Sequence, residues 1–189
     1  MENNVAIFGT SADPPTIGHK KILEELSKIY AFTISYVSNN PNKKHREDIS
    51  IRSHLLKTLI LDLNNPKILF NQTVSSQWAL ESIKLCKKIY ELNNLDFVIG
   101  SDLMKDIFCW KNFDKIIEEV SFLVILREGY PVESNTLKML ETYKVKFKIS
   151  TIKIPNISSS KFRSNFNYSN LPTSLIDIVK KNNLYESTK

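Results

Sequence analysis

The chain has 189 residues, 24% of them charged and 42% hydrophobic, with a formal net charge of +6. That length and mixture specify one globular domain over residues 1–189 with a real core, and exclude a disordered or low-complexity chain. No apolar run approaches the roughly 18 residues of a membrane span. Met1–Asn4 lead straight into an apolar strand pattern, so neither a membrane anchor nor a signal peptide is expected. The two cysteines, Cys86 and Cys109, sit in apolar helical surroundings without metal-ligand spacing. They read as reduced thiols of a cytoplasmic protein, and no protein-held metal is expected. The positive charge favours anionic partners without saying which.

In chain order, apolar, β-branched or aromatic runs occur at Val5–Phe8, Phe32–Val37, Lys67–Phe70, Asp96–Ile99, Phe122–Leu126 and Val145–Ile149, the last open to extension as far as Ile154. Between most of them lie stretches of 3.6-residue period: Ile17–Tyr30, Ile51–Leu63, Trp78–Leu92 and Phe113–Val120. Strands alternating with helices predict βαβ units and a parallel sheet covered on both faces. Right-handed crossovers make that an α/β, Rossmann-like doubly wound sheet. From Ser158 onward the pattern is helical, with Pro172 near a helix start and Ile176, Val179 and Leu184 as apolar positions. The expectation is a single domain with a small helical C-terminal part.

The most informative segment runs from Ile7 to His19. A strand enters a loop holding Gly9, Thr10, Ser11, Asp13, Pro14 and Pro15, and a helix begins at Thr16-Ile-Gly-His19. Gly9 and Gly18 let backbone approach a ligand. A helix N-terminus offers unpaired N–H groups and partial positive charge to an anion. Thr16 and His19, three residues apart, add donors on one face of the first turn. A second such start is Ile157-Ser158-Ser159-Ser160-Lys161-Phe162-Arg163, where serines cap free N–H groups and Arg163 can fork across phosphate oxygens.

The run GTSADPPTIGH resembles the T/HxGH signature of nucleotidyltransferases, which join a nucleotide to a phosphomonoester and release pyrophosphate. It is neither a P-loop nor a GxGxxG fingerprint. Within that superfamily the chain resembles bacterial nicotinate-nucleotide adenylyltransferases, the cyanobacterial-looking branch most of all. That family more often has GGTF where Gly9-Thr10-Ser11-Ala12 stands, and His where Thr16 stands. The serine run resembles its ISSTxIR motif, with Ser160 for Thr and Phe162 for Ile. The likeness runs from Ala6 to about Tyr185, specific at its two ends and looser between them.

The resemblance implies transfer of AMP from ATP to nicotinate mononucleotide by direct in-line attack, giving nicotinate adenine dinucleotide and pyrophosphate in NAD synthesis. It makes His19, Thr16 and Arg163 the expected catalytic groups. ATP would meet Gly9, Thr10, Ser11, Gly18, Gly100, Asp102, Ser158, Ser159, Ser160 and one of Lys43 or Lys44. The mononucleotide would meet Trp110, by stacking on its pyridine ring, the Lys111 backbone N–H, Ser76 and Arg127. Asp102 reads equally as a helix N-cap, and Arg127 equally as a surface ion pair with Glu128 or another acid. Arg52 matches an arginine common in the family, with no role assigned. Mg²⁺ is expected to arrive with substrate phosphates. No nucleic acid or membrane partner is expected, and homo-oligomerisation is open. Other phosphomonoester acceptors (nicotinamide mononucleotide, phosphopantetheine, cytidylyl-transfer substrates) stand as alternatives. So does a non-catalytic nucleotide- or nucleic-acid-binding module.

Overall fold

The computed structural model describes residues 4–186; Met1, Glu2 and Asn3, read above as leading into the first strand, lie outside them. Six strands form one sheet: β1 (Val5–Thr10), β2 (Phe32–Val37), β3 (Ile68–Phe70), β4 (Asp96–Gly100), β5 (Ser121–Ile125) and β6 (Phe147–Ile149). The order is β3-β2-β1-β4-β5-β6 and every pairing is parallel. The helices are α1 (Ile17–Ile29), α2 (Ile49–Asp62), α3 (Ala79–Ile89), α4 (Phe113–Glu119), α5 (Ser134–Thr142), α6 (Ser159–Asn165) and α7 (Thr173–Lys181).

Strand alternation sorts the core into two layers. Val5, Ile7, Ile34, Tyr36, Phe97, Ile99, Phe122 and Val124 pack with Leu80, Ile83 and Cys86 of α3, Phe113 and Ile116 of α4, and Leu140 of α5. Ala6, Phe8, Val98, Leu123 and Ile125 pack with α1, α2, α6 and α7 through Leu23, Leu26, Leu55, Leu56, Leu59, Phe162, Leu175 and Val179. This is the doubly wound sheet that the alternating runs predict, with central strands that are mostly apolar because both their faces are covered. The order reverses between β1 and β4, so the crevice for a ligand opens at the carboxyl ends of those two strands.

Two elements differ from the sequence reading. β6 stops at Ile149, and residues 151–155 carry no regular structure. Helix α5, between β5 and β6, was not among the helical stretches read from the sequence; it buries Thr136 and Leu140. The small helical C-terminal part is present as α6 and α7, which complete one of the two core layers. Among the described residues no helix is long and apolar enough to cross a membrane. Both cysteines are free thiols, Cys86 buried and Cys109 exposed, and burial pushes the Cys86 thiol up to about 12.

Gly9 positions the site by a packing constraint. It lies directly across from Tyr36 in the β1–β2 register. A Cβ added at Gly9 would stand 2.6 Å from the Tyr36 ring and hydroxyl, and Tyr36 is only 2% exposed. The glycine therefore makes room for a buried ring, and its freedom to approach a ligand is secondary. Gly9→Ala is expected to cost roughly 1–3 kcal/mol by overpacking, with much of the loss recovered in the double variant Gly9→Ala/Tyr36→Val, as read by urea melts. Additive losses in the double variant would contradict this account.

Candidate active site

The loop between β1 and α1 is held by one carboxylate. Asp13 is 2% exposed. Its Oδ2 accepts the Arg46 N–H at 2.7 Å and its Oδ1 accepts the Glu47 N–H at 3.2 Å. Arg163 Nη1 lies 3.6 Å from Oδ2 and also donates to the Asp13 carbonyl oxygen. His45 Nδ1 stands 3.9 Å from the same carboxylate. The Asp13–Pro14 peptide is cis, and the Pro14 carbonyl accepts the Ser159 hydroxyl at 2.8 Å. One buried acid thus joins the β1–α1 loop, the loop after β2 and the start of α6.

Arg52 of α2 makes a parallel clamp. It is 2% exposed and donates to the carbonyls of Glu47 at 2.9 Å, Ser11 at 2.7 Å and Ser38 at 3.4 Å. A fixed charge satisfied by main-chain carbonyls ties both ends of the 38–48 loop to the glycine loop. The tip of that loop is free of such ties, and Lys43 and Lys44 are exposed there.

His19 occupies the third position of α1 with Thr16 as N-cap. The Thr16 N–H, which can only donate, points at His19 Nδ1 at 3.0 Å. Nδ1 is therefore an acceptor, and in the neutral ring the proton sits on Nε2. Nε2 faces Thr10 Oγ1 at 2.9 Å, and the Thr16 hydroxyl lies 2.9 Å from Nδ1. Burial, and secondarily the Arg127 charge, push the His19 pKa down to about 4. The imidazole is neutral at pH 7 and presents one N–H donor.

Three of the expected site residues have partners within the chain. Thr16 is only 1% exposed and its donors are spent on His19, so it acts through that ring. Gly18 is buried against the chain itself, since an added Cβ would meet Thr16 Oγ1 at 3.3 Å and the Ile157 carbonyl at 3.4 Å. Ser11 contributes its carbonyl to Arg52. At α6 the serines divide their work. Ser158 is the N-cap and accepts the Lys161 N–H at 3.2 Å. Ser159 bonds Pro14, and Ser160 Oγ lies 3.4 Å from Arg163 Nη2.

Asp102 is not a helix N-cap. It stands inside the 3₁₀ turn Ser101–Leu103, with Oδ2 2.9 Å from Arg127 Nη1 and Oδ1 buried without a partner. Arg127 pairs with this acid, so Glu128 is not its partner. Gly100 leaves space for the pair, since an added Cβ would meet Asp102 Oδ1 and, at 3.0 Å, Arg127 Cδ.

Of the expected mononucleotide residues, Arg127 follows β5, while Ser76 precedes α3 and Trp110 and Lys111 precede α4. Trp110 is half-buried and meets Phe97 and Phe122 edge-on, with centroids 6.0 and 6.5 Å apart. Lys111 Nζ sits 4.6 Å above the Trp78 ring, which brings the start of α3 to the start of α4. Ser76 does not offer free donors: its N–H goes to Ser82 Oγ at 2.9 Å and its hydroxyl to the Glu81 carboxylate. Asp13, Arg52, His45 and Trp78 had no site role assigned from sequence. Asp13 stood in the recognised loop and Arg52 at a matched position. Partners that explain them include ones distant in the chain: Arg46, Glu47 and Arg163 for Asp13, Ser11 for Arg52 and Lys111 for Trp78.

An α/β sheet with an oriented histidine on the helix start at the carboxyl end of β1, and an arginine of a second capped helix tied to the same loop through Asp13, defines the class of the protein. The cytidylyltransferase-like family profile matches residues 7–165, and the chain belongs to that family. It is 30% identical to the probable nicotinate-nucleotide adenylyltransferase of Nitratiruptor sp. over 146 residues, covering 74% of this chain and 82% of that one. Identity to the nicotinate-nucleotide adenylyltransferase of Bacillus subtilis is 25% over 192 residues, covering 97% and 98%. The fold is similar to that of Plasmodium falciparum nicotinic acid mononucleotide adenylyltransferase complexed with NaAD, with TM-score 0.80, 24% identity and 97% and 98% coverage.

The depressed histidine gives a pH signature. Below about pH 6.5 the unfolded chain protonates this ring, while the folded chain keeps it neutral down to about 4. The unfolded state then binds more protons, so this ring costs stability as pH falls through that window. Denaturant melts between pH 7 and 4 should show wild type losing more stability than His19→Gln. Parallel curves would refute the buried neutral ring.

Proposed function

We propose that the protein transfers the adenylyl group of ATP to nicotinate mononucleotide, releasing pyrophosphate and forming nicotinate adenine dinucleotide. The observation that carries the reading is the Thr10–His19–Thr16 network at the start of α1, joined through Asp13 to Arg163 on α6. The names of the curated relatives support the choice of substrates. A step of NAD synthesis in the cytoplasm by this single domain is the setting that goes with it.

In this reading the mononucleotide phosphate attacks the α-phosphorus of ATP in line and pyrophosphate leaves, with no covalent intermediate. The attacking phosphate is already ionised, so no general base is needed, and a histidine with its pKa near 4 would be a poor one at pH 7. Its Nε2–H instead turns from Thr10 to the α-phosphate oxygen where charge builds. Two polyanions meeting at one site repel each other, and the protein offsets this with Arg163, Lys43 or Lys44, the helix starts and the Arg127 charge. Among the described residues no three His, Cys, Asp or Glu side chains cluster as a metal site. The magnesium of this proposal travels with ATP as part of the substrate, held by phosphate oxygens and water. The pyridine ring is assigned to the Trp110 side, near the Lys111 N–H.

His19→Ala should lower kcat by about 10²–10³, equivalent to about 2.7–4 kcal/mol, as for loss of one oxyanion donor; single-turnover quench-flow measures it, and a variant with normal turnover would remove the residue from the chemistry. Pyrophosphate release from Mg·ATP should proceed with nicotinate mononucleotide and much less with nicotinamide mononucleotide. Equal use of both would retain the chemistry and discard the carboxylate recognition at the Trp110–Lys111 segment. No release with either would overturn the function.

A further inference from the structure

We infer that Tyr185 and its neighbour Glu186 form a latch that positions the phosphate-facing loop 38–48 and helix α6 for nucleotide binding. The inference deepens the reading above and rests on it for the identity of the site. Tyr185 is 2% exposed although it follows the last turn of α7. Its N–H donates to Glu47 Oε1 at 2.8 Å, and the Glu186 carbonyl accepts Arg46 Nη2 at 2.8 Å. Arg46 and Glu47 are the two residues whose own N–H groups the Asp13 carboxylate holds. The tail therefore grips, from the outside, the same dipeptide that the site's central acid grips from within.

The Tyr185 ring does the second half of the work. It stands edge-on to Phe162, with centroids 6.0 Å apart, and Phe162 is fully buried beside Arg163 on α6. The ring lies between α6 and the base of the 38–48 loop, which are the two elements that bring Arg163 and Lys43–Lys44 to the crevice. Neither element is stiff by itself. α6 has seven residues, and the 38–48 loop is mostly exposed. Short elements need tertiary packing to hold a geometry, and displacing a positioning group by about 1 Å can cost up to about 10²-fold in rate. Among the described residues the Tyr185 hydroxyl is buried without a partner, so the ring and the main-chain bonds carry the effect and the phenol oxygen does not. Tyr185 is on this account a positioning residue that touches no substrate.

The test compares Mg·ATP affinity by isothermal titration calorimetry for wild type, Tyr185→Phe, Tyr185→Ala, Glu47→Ala and Val179→Ala, with each variant's melting temperature recorded and binding measured well below it. Val179 is buried in the same core layer, on α7, and serves as the control for plain loss of stability. Tyr185→Ala is expected to weaken ATP binding roughly tenfold. Glu47→Ala should weaken it in the same direction. Tyr185→Phe should match wild type, and Val179→Ala should lose stability with unchanged affinity. Tyr185→Ala and Glu47→Ala binding ATP as wild type does would overturn the latch, as would Val179→Ala and Tyr185→Ala losing affinity in proportion to stability. A wild type that binds Mg·ATP yet releases no pyrophosphate with nicotinate mononucleotide would sink the functional reading and leave these affinity comparisons intact.

Discussion

The candidate site depends on a buried carboxylate that is fully occupied. Asp13 sits in a loop that cannot form ordinary secondary structure, because Pro14 and Pro15 follow it, and it accepts two backbone N–H groups from a second loop. An acid in that position would be costly to bury without partners. Here the main-chain donors and the nearby Arg163 compensate it. The consequence is geometric as well as energetic: three segments far apart in the chain must meet at one point, one of them carrying Arg163.

Around that point the charges are graded by burial. Arg52 is enclosed and spends its donors on carbonyls, so it supports loops and offers nothing to a ligand. Arg163 and Arg127 are partly exposed, each beside an acid. Lys43 and Lys44 are exposed at a loop tip. Burial and the Arg127 charge keep His19 neutral, which prevents a stack of like charges when the crevice is empty. An arriving phosphate would reverse that balance by bringing the missing negative charge. The clamp is thus buried and the loop-tip lysines are exposed.

The legibility of the molecule was uneven for physical reasons. All six strands were readable because a doubly covered sheet demands continuous apolar runs, and the helices with wide apolar faces were readable by period. Helix α5, which buries Thr136 and Leu140, was not read from the sequence. The helix starts at Thr16 and Ser158 were legible because capping residues act locally. The partners of Thr16, Gly18 and Ser76 within the fold were not legible, because they depend on how the chain packs. Thr16 is consumed by His19, Gly18 by the Ile154–Ile157 segment and Ser76 by Glu81 and Ser82.

By itself the sequence determined the fold class, the place of the glycine loop at the end of β1 and the two helix starts that would face phosphate, because hydrophobic period, proline and glycine placement and capping residues all act within a few positions. Only the tertiary structure decided which tautomer His19 holds, that Asp102 pairs with Arg127, that Trp78 receives Lys111, and that Asp13, Arg52 and Tyr185 bind the loops together. Those are contacts between residues separated by up to 150 positions, and a pairing at that distance is set by how the layers stack, which no local pattern encodes.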